Sequence, residues 1–110
     1  MDSYIQVITT VDDREDAQRI ARAVVEKRLA ACVQIIGPVS SMYWWEDNIV
    51  EENEHICLMK TRENLYRELE QAIIDEHAYE IPEIVAVPVS AGSAGYFEWM
   101  DRELKGDKSM

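Results

Sequence analysis

The side chains best suited to chemistry crowd into Glu76-His77-Ala78-Tyr79-Glu80-Ile81-Pro82-Glu83-Ile84, which gathers an imidazole, a phenol and three carboxylates beside a proline-marked strand start. Such a set can bind a divalent cation, and it can equally order a connection through hydrogen bonds. His77 is expected at the end of a helix, where the dipole favours an imidazolium and a neutral ring stays open to metal from solvent. A capping role explains it as well. A second pair, His55 and Cys57, lies two apart on an expected strand and should project from one face, which is workable for copper or zinc. Cys57 sits in Ile56-Cys57-Leu58-Met59, however, where ordinary apolar packing is the simpler reading.

These residues need a scaffold, and the apolar pattern supplies one. Tyr4 to Thr10 is rich in β-branched residues and reads as a strand. Asp12 is the expected N-cap of a helix, with Glu15 three residues on and a stripe of Ala17, Ile20, Ala21, Val24, Val25 and Leu29. Ala31 to Ile36 returns as a second strand, and Gly37-Pro38 marks a turn or bulge. Residues 39 to 61 form a long β-hairpin with turn chemistry at Asp47-Asn48. Thr61 is the expected cap of a second helix bearing Leu65, Leu69, Ala72, Ile73 and Glu76 on one side. Ile81 to Val89 is the fourth strand, its prolines pointing to strand ends or a sheet edge. A short loop leads to a brief final helix, Tyr96 to Leu104.

The order strand, helix, strand, strand, helix, strand is the split βαβ, ferredoxin-like α+β arrangement, an antiparallel sheet with two helices on one face. The other face is left bare. Alternation sends Trp44 and Trp45 to opposite sides, so one of them is expected to meet another subunit. The chain of 110 residues, 47% of them hydrophobic, suits one domain over residues 1–105 with a frayed 106–110 tail.

A net charge of -11 repels nucleic acid and favours cations. No apolar run reaches the roughly 20 residues that span a bilayer, and the N-terminus lacks the basic-then-apolar pattern of a leader. Two cysteines without a framework suit a reducing cytoplasm, where both are expected to be free. With residues 45 and 50 facing each other, Cys57 would oppose a position near Pro38, about 20 Å along the strand from Cys32. No Gly-rich phosphate loop or triad order is present, which argues against an enzyme. Residues 8 to 16 carry acid where an acylphosphatase would bind an anion.

Six segments in order, Val7-Ile8-Thr9-Thr10, Arg28-Leu29-Ala30-Ala31-Cys32-Val33, Tyr43-Trp44-Trp45, Met59-Lys60-Thr61, His77 to Ile84 and Tyr96-Phe97-Glu98-Trp99, together resemble the CutA divalent-ion tolerance family. The resemblance implies a homotrimer joined through sheet edges and the long hairpin, and tolerance of copper and other divalent metals without catalysis. It makes Cys32 a candidate for soft-metal contact. Three copies of the His77 loop would then bring Glu80 and Glu83 into metal sites shared between subunits, with Lys60, Thr61, Tyr79 and Trp45 lining an intersubunit cleft. The chain departs from the family pattern at Asp47-Asn48, usually Gly-Lys, and at Ala78, usually proline, where a fixed φ is lost. The alternative implied by the same topology is a PII-like trimeric signalling module that binds a small effector in those clefts.

Overall fold

The computed structural model describes residues 3–106. Strand β1 (Tyr4–Val11) is followed by helix α1 (Arg14–Glu26), strands β2 (Cys32–Trp45) and β3 (Asn48–Arg62), one 3-10 turn (Glu63–Leu65), helix α2 (Tyr66–Glu76), strand β4 (Ile84–Val89) and helix α3 (Ala94–Glu103). All the strand pairs are antiparallel, in the order β2-β3-β1-β4. This is the expected ferredoxin-like topology.

Strand alternation divides the sheet. Ile5, Val7, Thr9 and Val11 of β1 lie opposite Thr61, Met59, Cys57 and His55 of β3. These face α1 and α2, and apart from the half-buried His55 they are buried. Ile20 and Val24 of α1 and Leu69 and Ile73 of α2 complete this core, each fully buried. Val25 and Ala21 were expected in the α1 stripe, but Val25 is exposed and Ala21 half-buried because the contact is narrower than the full run of apolar positions.

The other face carries Gln6 and Ile8 of β1, Ile56, Leu58 and Lys60 of β3, and Val85 and Val87 of β4. Helix α3 closes one end of it. Tyr4 stacks on Phe97 with ring centroids 4.0 Å apart, and the buried Arg62 reaches Asp101 at 3.2 Å and the Lys105 carbonyl.

Several boundaries differ from expectation. The N-cap of α1 is Asp13, whose side chain accepts from the Asp16 amide at 2.8 Å, so Asp12 lies one residue outside. Thr61 caps nothing: it remains in β3, and its hydroxyl donates to the Leu29 carbonyl at 2.7 Å. The hairpin turn is Glu46-Asp47, with φ of 49° and 65°, rather than Asp47-Asn48, since Trp45 pairs with Asn48. Two left-handed residues match the twist of the flanking strands. Consequently Cys57 opposes Ile35, three positions from Cys32 and about 10 Å along the strand. Both thiols are still free, as expected.

The pairing of β2 with β3 shifts register between Ile36 and Val39 around Gly37-Pro38. Glycine is required there by close approach, since a Cβ would stand 2.7 Å from the His55 ring. β4 starts at Ile84, leaving Pro82 in the preceding connection, while Pro88 is accommodated because β4 is an edge strand. Of the expected frayed tail, residues 107–110 lie outside the described residues.

Candidate functional site

At the end of the open face away from α3, the projecting β2–β3 arm and the 79–83 connection enclose a cleft of about 660 Å³. Its walls include Tyr43, Trp45 and Tyr79, and its acids are Glu52, Glu54, Glu80 and Glu83. Alternation explains the grouping. Val50, Glu52 and Glu54 point from β3 to the side shared with their partners Tyr43, Ser41 and Val39.

Two phenols hold the inner acids. Tyr79 donates to Glu54 Oε2 at 2.8 Å, and Tyr43 donates to Glu52 Oε1. The Glu52 hydrogen bond, with lesser desolvation, pushes the Tyr43 pKa up to about 12. Burial first, and the Glu54 bond second, hold Tyr79 further above the ordinary phenol value. Both hydroxyls therefore stay protonated as donors across the physiological range.

His77 fixes the connection that carries Tyr79. It ends α2 in an extended conformation, with Nε2 2.8 Å from the Thr10 carbonyl and Nδ1 3.0 Å from the Tyr79 amide. A carbonyl only accepts and an amide N–H only donates, so the ring must carry its proton on Nε2 and offer its lone pair at Nδ1. Both nitrogens are engaged within the subunit. A metal at His77 would displace the Tyr79 amide bond, so the ring acts here as a brace for the loop.

The expected ligands do not converge. Among the described residues no three His, Cys, Asp or Glu side chains are grouped to hold a metal ion. Cys32 pairs with Lys60 at the opposite end of the open face, beside Tyr96, whose hydroxyl pKa is raised by burial and by this neighbouring thiol. Cys57 is fully buried, and burial pushes its thiol up to about 11, which disfavours the thiolate a metal needs. His55 lies on the helix side, with a buried Nδ1 that has no hydrogen-bond partner.

Of the residues expected to share a cleft, Trp45, Tyr79, Glu80 and Glu83 line this one, whereas Lys60 and Thr61 do not. Thr61 turns to the helix side and is buried, because it is one step out of phase with Lys60. Glu52, Glu54 and Tyr43 were missed. Their common face depends on the hairpin register, and a turn placed at Glu46-Asp47 would have revealed it.

The sheet order, the two-helix layer and this acidic, aromatic cleft define a ferredoxin-like α+β protein with its open face furnished at one end. The chain belongs to the family described as CutA1 divalent ion tolerance protein, which matches residues 5–103. It is 41% identical over 100 residues to the divalent-cation tolerance protein CutA of Thermus thermophilus, covering 91% of this chain and 96% of that one. The solved structure of the Thermus thermophilus protein superimposes with a TM-score of 0.90 at 37% identity, over 93% of this chain and 99% of the other. The crystal structure of CutA1 from Oryza sativa gives a TM-score of 0.92 at 33% identity, covering 96% of each chain.

The chain spans 57% and 56% of the length of the chloroplastic CutA proteins of Oryza sativa and Arabidopsis thaliana. Relatives thus carry chloroplastic labels, and the Archaeoglobus fulgidus structure is described as periplasmic. Among the described residues no helix is long and apolar enough to cross a membrane.

Proposed function

We propose that this chain is a cytoplasmic, non-catalytic divalent-cation tolerance protein that works as a homotrimer and takes its cation at the acidic cleft. The observation that carries the reading is that Glu52, Glu80 and Glu83 line one cleft, though not grouped as a closed metal site within the subunit, in a family member named for divalent-cation tolerance. The exposed face of the sheet and the projecting apolar arm, with Trp44 at 70% exposure, support assembly.

The donors in the cleft are carboxylate and phenol oxygens, a set that suits a hard divalent ion such as magnesium or manganese. Copper, the metal first expected, prefers thiolate and imidazole. It would require Cys32 and His77 from different subunits to meet, and His77 to release the Tyr79 amide. Titration calorimetry of the native oligomer with manganese and with copper distinguishes these. The expected result is manganese binding that weakens at least about tenfold in Glu80→Gln/Glu83→Gln and is unchanged in Cys32→Ser. Copper binding lost in Cys32→Ser, with no manganese binding at all, overturns the oxygen-donor site.

One observation favours a second reading, a PII-like module for a small effector: a cleft of about 660 Å³ with three aromatic walls is the size of an organic ligand site. A thermal-shift screen of nucleotides and carboxylates against divalent ions separates the two, because a ligand bound only by the folded state raises stability by mass action.

A further inference from the structure

Glu54 is the one buried acid among the described residues. It is only 6% exposed, yet among the described residues its carboxylate has a single hydrogen bond, from Tyr79 to Oε2. None of the ion pairs among the described residues involves it. Among the described residues the buried side-chain atoms left without a partner are Thr9 Oγ1 and His55 Nδ1, so the other oxygen of Glu54 is open to the cleft it lines. Burying a carboxylate without a cation is costly, and one neutral donor does not offset it. A cation at the open oxygen would lower that cost.

The same strand carries a complementary defect. Lys60 projects from the same face of β3, half-buried, with one long bond of 3.4 Å to Gln34 Oε1 and no carboxylate partner among the described residues. Glu54 and Lys60 are six positions apart, about 20 Å on a strand rising 3.3 Å per residue, so they cannot meet within one subunit. Between them the face is apolar and uncovered: Ile56 and Leu58 are half-buried, Ile36 is 47% exposed and Val85 45%.

We propose that the cation completing the cleft is Lys60 of a second copy of this chain, seated between Glu54 and Glu52 beside the Tyr79 hydroxyl. The proposal rests on the trimeric reading above. In a three-fold ring each contact is head-to-tail, so the Lys60 end of one copy enters the cleft of the next and the apolar face is covered in the same step. With Lys60 answering Glu54, the outer acids Glu80 and Glu83 and the free side of Glu52 remain for a divalent ion.

The test is sedimentation equilibrium across a dilution series on the full chain, comparing wild type with Lys60→Met, Glu54→Gln and the double variant. Each single change should raise the concentration for half-assembly at least about tenfold, and the double should be no worse than the weaker single, because both remove one shared contact. Lys60→Arg, which keeps the charge, should assemble nearly as wild type. Glu54→Gln should also make the dissociated subunit harder to unfold in urea, since it removes an uncompensated buried charge; a purely structural Glu54 would do the reverse. A wild type that assembles indifferently to both substitutions, or effects that simply multiply in the double, overturns the pairing alone. A wild type that stays a single copy at every concentration overturns the assembly and the pairing with it.

Discussion

The two faces of the one sheet make opposite demands on the rest of the molecule. On the helix side, Val7, Cys57 and Met59 are sealed by α1 and α2, and the apolar core is closed within one subunit. On the other side, the neighbouring positions Ile56, Leu58 and Lys60 are left half open, and at the far end the buried Glu54 is met by one neutral donor, Tyr79. Strands that differ by one residue in phase therefore belong to different problems: one face specifies the fold, and the other specifies what the fold must meet.

The sharpest way to break that distinction is to truncate adjacent residues of β3. Met59→Ala should cost the dissociated subunit about 2–5 kcal/mol in urea unfolding, since it empties a fully buried site. Leu58→Ala should cost that same subunit well under half as much while weakening assembly. Equal costs in the dilute subunit would erase the difference between the faces.

Alkaline pH probes the sealed face separately. The Cys57 thiol is raised from 9.0 to about 11 by burial. A folded-state pKa above the unfolded one contributes stability that is complete below pH 9 and is lost as pH rises towards 11. The unfolding free energy from urea titrations should fall over that window by roughly 3 kcal/mol attributable to the thiol. Raised tyrosines, Tyr43 among them, act in the same direction, so the difference between wild type and Cys57→Ala isolates the cysteine. A slope identical in both would place Cys57 in contact with water.

Where the arm leaves the body, Gly37→Ala should destabilise by about 1–3 kcal/mol, because the new methyl must displace the His55 ring. A neutral result in thermal unfolding would mean that the ring has room to move. The smallest effect belongs at the arm's tip, where neither face is covered. Asp47 holds φ at 65°, and Asp47→Gly should stabilise by about 0.5–1 kcal/mol. A loss of stability there would point to a contact made by the Asp47 carboxylate.

Much of the fold was legible because local rules and global packing agree. The β-branched run of β1, the stripe of α1 and the edge preference of Pro88 each carry their own signal. What stayed hidden was set by pairing. Thr61 has the chemistry of a cap, yet the Leu29 carbonyl offers its hydroxyl a buried partner and the strand runs past it. The cleft was half visible: Trp45, Tyr79, Glu80 and Glu83 stood out by type, while Glu52 and Glu54 resemble any solvated acids until the register turns them inward. His77 was conspicuous for the right chemistry, and only its two hydrogen bonds reveal that its nitrogens are committed.

The irregularity at Gly37-Pro38 decides which tryptophan serves the cleft. Before it, the even-numbered Cys32, Gln34 and Ile36 share a face with Lys60, Leu58 and Ile56; after it, the odd-numbered Val39, Ser41, Tyr43 and Trp45 share that face with Glu54, Glu52, Val50 and Asn48. The extra residue works as a parity switch. Deleting one residue there would restore strict alternation with the faces unchanged, since Val39 would then follow Ile36 by two positions and Tyr43 and Trp45 would stay with the acids. Flattening the bulge with both residues kept, so that the arm slips by one in register, is what would carry Met42 and Trp44 to the acids and take from the cleft the phenol that holds Glu52.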